Sequence, residues 1–427
     1  MEPSRRLIVV LLLAGSLIGA FVTGRDFFFN LAYLWAGLLL LAYGWSWSAM
    51  RGLRLNRQTR TRRAQVGRPL EERLAVRNTS RLPKLWVEVR DDSELPEHRA
   101  SRVVEGLPPH AERAWTVRTL CRERGQFRLG PLTISAGDPF GLFHRALRLP
   151  QTARVVVYPH TVALPDFELP LGLLPGGDAL RRRTHYVTPN ASGVRDYAPG
   201  DSFNRIHWPS TARRNRLIVK EFELDPQADV WLFLDMHGAA QAAQPPEPHP
   251  DTLDYWRERA AFSLPPATEE YAVSAAASLA QYFVRQNRAV GLAFYGRTRE
   301  VVQADRGERQ LTRILETLAV ARAQGELRLD EVLAIESDSL TRGTTVIIIT
   351  PATDRRVAIA AQTMQRRGLR VAAVLLDAAS FGGPPAQEAI APYLRAAQIA
   401  VRQIRLGDDL ATALSGRAAM RAKIAVG

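Results

Sequence analysis

Two long runs without a charged residue stand near the start of this 427-residue chain. The first run extends from Leu7 to Val22 and the second from Phe27 to Ala49. Because a helix rises about 1.5 Å per residue, roughly 20 apolar residues cross the hydrocarbon core of a bilayer. The second run exceeds that length, the first is shorter, and residues 23–26 between them suit a tight turn. We therefore expect residues 1–50 to form a transmembrane hairpin, with spans at about 7–22 and 27–49.

Arginines flank both apolar runs and predict how the hairpin is oriented. Arg5 and Arg6 precede the first run, and six arginines with no acidic residue among them follow the second between 51 and 63. Since Lys and Arg near a span stay on the cytoplasmic side, we expect a multi-pass protein of the cell (inner or plasma) membrane with cytoplasmic soluble domains. Trp45 and Trp47 are predicted to lie at the membrane interface. A cleaved signal peptide is the alternative for the first run, although no A-x-A site follows it.

The formal net charge of +14 raises the question of nucleic-acid binding, because basic surfaces attract phosphate backbones. Almost all of the positive charge is arginine, since lysine occurs only at Lys84, Lys220 and Lys423. No basic strand interleaved with aromatic residues and no recognition-helix pattern accompanies it, so we expect no nucleic-acid partner. Cys121 is the sole cysteine, which excludes an internal disulfide and predicts a buried structural thiol.

The next part of the chain has the pattern of an all-β domain. Residues 51–65 are expected to be an Arg-rich juxtamembrane segment, and residues 66–160 to form a β-sandwich-like domain. Leu70–Arg77 and Leu85–Arg90 alternate apolar and polar residues, and turn residues separate them. Several short strands with frequent turns are typical of a sandwich.

From residue 228 to residue 427 the pattern changes to buried strands alternating with helices. Apolar runs such as Val230–Leu234 and Val346–Ile349 are separated by helical segments, one of which is predicted to begin with Thr268 as its N-cap. This alternation predicts a doubly wound α/β domain with a parallel sheet covered on both faces. Residues 161–227 are then a linker and a charged connecting segment.

Polar residues follow several of the predicted strands of this α/β domain. In such sheets ligands bind beyond the carboxyl ends of the strands, so these residues share one edge. No GxGxxG follows the first strand and no GxxxxGK[ST] occurs, which excludes the usual dinucleotide and P-loop sites; we expect no cofactor. The residues at this edge are Asp235, Thr350, Asp354 and Asp377.

The connecting segment from Ser192 to Glu223, called here the signature segment, resembles the bacterial membrane proteins of the domain of unknown function 58 family. Those proteins share the pattern G-x-R-x-Y-x-x-G-D-x-x-x-x-I-x-W followed by A-R. The run RGQFRLGPLTISAGDPFGLF at 124–143 also resembles the sandwich motif of the family. This chain matches the signature at Gly193, Arg195, Tyr197, Gly200, Asp201, Ile206, Trp208, Ala212 and Arg213.

The resemblance implies a von Willebrand factor A-like α/β domain after the signature segment. It also implies a MoxR-type AAA+ ATPase as partner, since family members are typically encoded beside such ATPases, and the pairs resemble assembly systems. A von Willebrand factor A domain can bind Mg²⁺ through D-x-S-x-S, but Asp235, His237 and Ala239 stand at those positions here. Because Mg²⁺ needs several oxygen ligands, we expect no metal site, with Asp235 as the degenerate candidate position.

The charges of the signature segment predict an interdomain clamp. Arginine side chains bind carboxylates bidentately, glycines permit tight turns, and the tryptophan is expected to pack between the two domains. The alternative is an enzyme site with Asp201 and His207 as acid and base. The residues assigned to the clamp are Gly193, Arg195, Asp196, Tyr197, Gly200, Asp201, Arg205, His207, Trp208 and Arg213.

The sequence therefore predicts a membrane-anchored interaction or assembly factor that faces the cytoplasm and works with a MoxR-type ATPase. We expect no enzymatic activity, because no complete set of catalytic residues is present. Two alternatives stay open: an enzyme with its site in the signature segment, and a Mg²⁺-dependent adhesion-type binding module.

Overall fold

Two long helices begin the chain in the computed structural model, which describes residues 4–164, 167, 191–198, 206–222, 229–245, 262–385 and 389–415. Helix α1 is Ser4–Thr23 and helix α2 is Asp26–Met50. Both are long and apolar enough to cross a bilayer, and few of their residues are buried. The predicted pair of apolar helices is therefore confirmed.

Contacts of α1 and α2 with each other and with the β domain show which residues of the two helices lie side by side. Near the turn, the rings of Phe21 and Phe29 are 6.1 Å apart. At the other end, Arg6 of α1 and Tyr43 of α2 both contact Phe143 of the following domain, at 4.8 and 5.6 Å between centres. Arg6 is thus level with Tyr43, and seven residues of α2 follow Tyr43.

Ten strands follow and build the β domain. They form three sheets, in the orders β1-β3-β6, β2-β10-β7 and β5-β4-β8-β9. Segment 51–65 is not a separate juxtamembrane segment as expected, because it contains the first two strands. The strands are β1 Leu53–Thr59, β2 Arg63–Gln65, β3 Pro69–Asn78, β4 Lys84–Asp91, β5 Arg102–Leu107, β6 Glu112–Leu120, β7 Gly125–Leu129, β8 Leu132–Gly137, β9 His144–Leu149 and β10 Ala153–Tyr158.

Alternating side chains of these strands make the main core of the β domain. Leu74 and Val76 of β3 pack with Val87 and Val89 of β4 and with Ile134 of β8. The residues between them in sequence face outward, as the period of two in a strand requires. Cys121 is 1% exposed, and burial raises the pKa of its thiol to about 11, which confirms the predicted structural role.

A buried charge cluster lies inside the β domain. The His98 ring, with no exposed side-chain surface, has Nε2 at 3.2 Å from Glu72 and 3.3 Å from Asp91. Arg57 binds both oxygens of Glu72 at 2.7 and 2.8 Å and reaches Asp91 at 3.1 Å. Burial alone would raise the pKa of Glu72, but the hydrogen bonds from His98 and Arg57 outweigh it and lower that pKa to about 2.

The β domain is joined directly to α2. Only Arg51 and Gly52 separate the end of α2 from the start of β1. Lys84 is 2% exposed, and its ammonium donates to the Ser48 carbonyl oxygen in the last turn of α2 at 2.7 Å. The Ser48 carbonyl also accepts the Arg51 N–H at 3.1 Å, so Lys84 is its second donor, and the positive charge of Lys84 complements the negative end of the helix dipole.

The α/β domain has a six-stranded sheet in the order β15-β14-β13-β16-β17-β18. Strand β15 is antiparallel to its neighbour and the other pairs are parallel. The strands are β13 Val230–Leu234, β14 Val290–Tyr295, β15 Arg299–Asp305, β16 Thr345–Thr350, β17 Arg370–Leu376 and β18 Ala400–Ile404. The helices are α4 Thr268–Arg285, α5 Glu308–Val320, α6 Leu329–Ser337, α7 Arg355–Arg366, α8 Ile390–Ala396 and α9 Leu410–Ser415.

Two cores cover the two faces of this sheet. Leu232 and Ile347 pack under α4 and α5, whereas Phe233 and Ile348 pack under α6 and α7. Successive residues of one strand point to opposite faces, so helices on both sides bury the whole of β13. This confirms the doubly wound α/β arrangement. Thr268 is not an N-cap as expected: it is the first residue of α4, and its hydroxyl donates to Gln241 at 2.7 Å.

Part of the signature segment lies between the two domains in the chain. Strand β11 is Ala191–Asp196, β12 is Ile218–Phe222, and they pair antiparallel. Helix α3, Trp208–Arg214, precedes β12 and ends at Asn215 with φ +53°.

Candidate functional site

A crevice opens at the carboxyl ends of the central strands of the α/β domain. From β13 the chain passes to β14 and β15 on one side and then to β16 on the other, so the strand order reverses between β13 and β16. Ligands of doubly wound sheets bind at such a reversal, outside the carboxyl ends of the strands. The crevice has a volume of about 250 Å³. Its polar lining consists of Asp235, His237, Gln241, Arg328, Asp330, Thr353 and Asp354.

Asp235 forms the floor of the crevice at the end of β13. It is 2% exposed and accepts hydrogen bonds from the His237 backbone N–H at 3.0 Å and from the Thr350 hydroxyl at 2.6 Å. Burial raises the pKa of Asp235 above its usual value, although the Thr350 hydrogen bond opposes this shift. The sequence correctly placed Asp235 and Thr350 at one edge. Asp377 lies beyond β17, pairs with Arg405 at 3.4 Å and does not line the crevice.

Arg328, Asp330 and Asp354 supply the charges of the crevice rim. The Arg328 guanidinium donates to both oxygens of Asp330 at 3.0 and 2.9 Å, and this contact lowers the pKa of Asp330. Asp354 follows β16 and caps α7 by accepting the Arg356 N–H at 2.9 Å. The sequence predicted Asp354 at this edge but missed Arg328 and Asp330. The sequence pattern that could have identified them is an arginine followed by acidic residues at the start of a helix.

Gly325 fixes the loop that carries Arg328. The Gly325 N–H donates to the Met236 carbonyl at 2.9 Å, and its carbonyl accepts the Gly238 N–H at 3.0 Å. A Cβ at this position would overlap the Tyr295 carbonyl oxygen and lie 2.9 Å from the Met236 carbonyl oxygen. Only glycine allows the two loops to approach this closely, so the crevice is preformed by backbone contacts.

The crevice is small and carries both signs of charge. Pockets for small molecules usually enclose about 300–1,000 Å³, so this crevice suits a few side chains better than a nucleotide. Within the described part of the chain, no three His, Cys, Asp or Glu side chains converge as metal ligands. The charged lining of the crevice consists of the exposed carboxylate of Asp354, the half-buried carboxylate of Asp330, the buried Asp235 and the Arg328 guanidinium.

The described residues of the signature segment form the antiparallel pair of β11 and β12 together with α3, called here the signature hairpin. Gly193 and Arg195 lie on β11, and Asp196 at its end pairs with Arg216 at 3.0 Å, with both side chains more than half exposed. Tyr197 is half-buried, and its N–H donates to the Leu217 carbonyl at 2.9 Å. Gly200, Asp201 and Arg205 fall outside the described residues, so their part in a charge network stays a prediction.

Trp208 and His207 differ from what the sequence suggested. Trp208 is 64% exposed and starts α3, so the expectation that it packs between the domains is wrong. His207 Nδ1 lies 2.7 Å from the Ser210 hydroxyl, a contact within the first turn of α3. Arg213 is exposed in the last turn of α3, where it complements the helix dipole. Among the described residues, these side chains do not join the two domains.

An arginine outside the signature segment joins the domains instead. Arg124, just before β7, has no exposed side-chain surface and forms ion pairs with Glu269 and Glu270 in the first turn of α4. It also donates to the Leu318 carbonyl oxygen at 3.2 Å and to the Ala321 carbonyl oxygen at 2.6 Å. Glu269 and Glu270 lie 145 and 146 residues from Arg124 in the sequence.

Further contacts surround Arg124 and extend this junction. Glu316 of α5 pairs with Arg63 at 3.2 Å and accepts the Tyr158 hydroxyl at 3.3 Å. Phe167, after β10, packs against Tyr282 and Phe283 of α4, with ring centres 5.0 and 5.9 Å apart. The two domains are therefore held by buried aromatic rings and charges together.

A family model described as "Protein of unknown function DUF58" matches residues 193–245. The matched range contains the signature hairpin and continues through β13 to the loop that lines the crevice. The "Uncharacterized protein YeaD" of Bacillus subtilis (strain 168) is 24% identical over 313 residues, which cover 71% of this chain and 70% of the relative.

Solved structures resemble only part of the chain. The CARDB domain of the PF1109 protein from Pyrococcus furiosus is 16% identical, covers 25% of this chain and 91% of that chain, and gives a TM-score of 0.19. A β-glucosidase from Listeria innocua is 13% identical, covers 25% of this chain and 16% of that chain, and gives a TM-score of 0.17. Scores this low carry no argument about fold or function. This chain is therefore similar to proteins of the DUF58 family over residues 193–245 and to YeaD over most of its length.

Proposed function

We propose that this chain is a membrane-anchored interaction and assembly protein whose α/β crevice binds a partner protein on the cytoplasmic side. The observation that carries the proposal is the preformed crevice at the strand-order reversal, with exposed charge above a buried Asp235. In this proposal α1 and α2 cross the membrane, and the arginines that flank them keep the two domains in the cytoplasm.

The finer fold assignment, a von Willebrand factor A-like domain, belongs to the same proposal. It is supported by the family resemblance and by the position of Asp235, which ends the first strand of the sheet next to the order reversal. The antiparallel strand β15 at one edge agrees with a doubly wound sheet of mixed direction.

Magnesium does not fit the residues at this position. Both carboxylate oxygens of Asp235 are already engaged, one by the Thr350 hydroxyl at 2.6 Å and the other by the His237 N–H at 3.0 Å, and His237 and Ala239 stand where the metal-binding pattern has hydroxyls. Mg²⁺ prefers near-octahedral oxygen coordination at about 2.0–2.1 Å, and Asp235 is too enclosed to gather the missing ligands. We therefore propose direct recognition through side chains, without a bridging metal.

The partner proposed here is a MoxR-type AAA+ ATPase, as the family resemblance implies. Asp354 and Arg328 have 47% and 38% of their side-chain surfaces exposed at the crevice rim. Arg328 already binds Asp330, and Asp354 lies 3.8 Å from the Arg356 guanidinium. We therefore propose that the exposed parts of Arg328 and Asp354 form additional contacts with an acidic and a basic side chain of the partner, which favours one orientation of docking. The volume of about 250 Å³ suits a short loop of that partner.

Site-specific photo-crosslinking in native membranes tests this proposal. A benzophenone amino acid is placed at Thr353, an exposed crevice residue, and, as the control, at Arg342, an exposed residue before β16 at the opposite edge of the sheet. We expect the ATPase, trapped with a non-hydrolysable ATP analogue, to cross-link from position 353 and not from position 342. Equal yields from the two positions, or no ATPase from either, would overturn the proposal.

A pair of charge variants sharpens the same experiment. Asp354→Asn removes the rim charge but keeps a side chain that caps a helix about equally well. Asp338→Asn makes the same change at the C-terminal end of α6, outside the crevice lining, where Asp338 pairs with Arg367 at 2.7 Å. Only the first variant should reduce the cross-linking yield, with thermal stability unchanged in both.

A further inference from the structure

The 138–143 loop between β8 and β9 is built as a rigid projection. Asp138 is 2% exposed, and its carboxylate accepts the backbone N–H groups of Phe140 at 2.8 Å, Leu142 at 3.2 Å and Phe143. Gly141 has φ +71°, a left-handed conformation that other residues resist. Hydrogen bonds within the loop therefore fix its shape.

This loop contacts the helix pair where the uncharged run of α1 meets its charged flank. Arg6 donates to the Leu142 carbonyl oxygen and its guanidinium lies 4.8 Å from the Phe143 ring centre. The same ring contacts Tyr43 edge-to-face at 5.6 Å. Arg6 is the last charged residue before the uncharged run of α1, so Phe143 stands at the boundary between that run and the polar flank.

Phe140 is exposed at this boundary. Its side chain is 52% accessible, although it sits in the same loop as Leu142, which is 5% accessible. Basic groups surround the loop: the Arg5 guanidinium lies 3.3 Å from where a Cβ on Gly141 would be, and the Arg145 guanidinium lies 5.3 Å from the Tyr43 ring centre. An exposed aromatic ring with arginines beside it matches the headgroup region of an anionic bilayer.

We propose that the 138–143 loop is a third membrane contact, in which Phe140 enters the headgroup–acyl boundary of an anionic leaflet beside α1 and α2. The inference rests on the proposed membrane anchoring by those helices. The neighbouring arginines bind lipid phosphates while the ring is buried, the combination used by proteins that lie at the interface. The contact sets the orientation of the β domain on the membrane.

Depth-dependent fluorescence quenching in vesicles tests the inference. The full chain with Cys121→Ser receives one new cysteine, labelled with an environment-sensitive nitrobenzoxadiazole, at position 140, at position 11 or at position 359. Leu11 is a 60% exposed residue of α1, and Ile359 is a 54% exposed apolar residue of α7, which serves as the matched control. The vesicles contain phosphatidylcholine and phosphatidylglycerol with spin labels near the headgroup or deep in the acyl chains.

The label at position 140 should be quenched mostly by the spin label near the headgroup. The label at position 11 should be quenched mostly by the spin label deep in the acyl chains, and neither spin label should quench the label at position 359. Quenching at 11 without quenching at 140 would overturn this inference and leave the anchoring intact. No quenching at 11 would instead overturn the anchoring itself, and the inference with it. Phe140→Ser is expected to keep the thermal stability of the parent. Loss of quenching at position 140 in vesicles without phosphatidylglycerol would assign the contact to anionic headgroups.

Discussion

Arg124 and Arg216 each form ion pairs with acidic side chains, but one is enclosed between two domains and the other lies at the surface. The Arg124 side chain has no exposed area, whereas Arg216 and its partner Asp196 have 58% and 57% of theirs exposed. A buried ion whose partner is removed is left uncompensated in a poor solvent, whereas an exposed ion is solvated by water. The density of charges in a sequence segment therefore says little about which charge holds the fold together.

The largest effect is expected for Arg124→Ala. Removing the guanidinium leaves Glu270, whose pKa burial already raises, without its main partner. We expect the free energy of unfolding to fall by about 3–5 kcal/mol, as for other broken buried pairs. Urea unfolding of the purified full chain in detergent, followed by tryptophan fluorescence, measures it.

A compensating variant checks the cause of that loss. Arg124→Met combined with Glu269→Gln and Glu270→Gln removes both signs of charge and keeps similar volumes. Because replacing a whole buried pair is often close to neutral, the triple variant should recover much of the stability. A triple variant less stable than Arg124→Ala would show that Arg124 acts through its two carbonyl contacts rather than through its ion pairs.

The buried cluster around Glu72 should give the next largest effect, and it depends on pH. The folded-state pKa of about 2 is below the usual 4.5, so Glu72 stabilises the fold fully above pH 4.5 and this contribution is lost as pH falls toward 2. A difference of this size corresponds to on the order of 3 kcal/mol. Denaturant unfolding of the parent between pH 5 and pH 2 should show the loss, and Glu72→Gln should lack that part of it.

His98 gives the opposite dependence on pH in the same cluster. Burial alone would lower its pKa, but hydrogen bonds to Asp91 and Glu72 outweigh burial and raise the pKa above 6.5. Its contribution is therefore complete below pH 6.5 and is lost as pH rises through the folded-state pKa. If His98→Gln shows the same decline of stability above pH 6.5 as the parent, His98 is not the group that titrates.

The smallest effect is expected for Arg216→Ala, the surface counterpart of Arg124→Ala. Exposed ion pairs contribute about 0–1 kcal/mol and are weakened by salt. The variant should unfold within about 1 kcal/mol of the parent in the same urea experiment. A loss as large as that of Arg124→Ala would mean that the signature hairpin is a structural clamp after all, and the contrast between the two arginines would disappear.

Features with a local periodicity were predictable from the sequence. The two apolar helices follow from uncharged runs, and the central strands β13 and β16 from short apolar runs between helical segments. Strand β1 was not predicted, because its arginines indicated a juxtamembrane segment. Leu53 and Leu55 nevertheless alternate with polar residues, which is the pattern of a strand. The expected position of Asp235 was confirmed, because strand ends can be located from the same pattern.

Features that join distant parts of the chain were not predictable in this way. Arg124 meets Glu270 across 146 residues, and His98 meets Glu72 across 26, and no spacing rule connects either pair. Trp208 was expected to pack between the two domains, but it begins a short helix and is 64% exposed. Tertiary contacts of this kind depend on how sheets are stacked, which one sequence does not reveal.

The two-residue connection between α2 and β1 restricts how the β domain can move relative to the helix pair. Lys84 also binds the last turn of α2, so the β domain is held against the helix at two points. Because Arg124 binds the α/β domain to the β domain, the same restriction applies to the α/β domain. In the proposed arrangement, with α1 and α2 in the membrane, the crevice is held at a fixed distance and angle from the bilayer. The proposed partner then has to reach the crevice at that distance, so its size restricts binding as well as its charge.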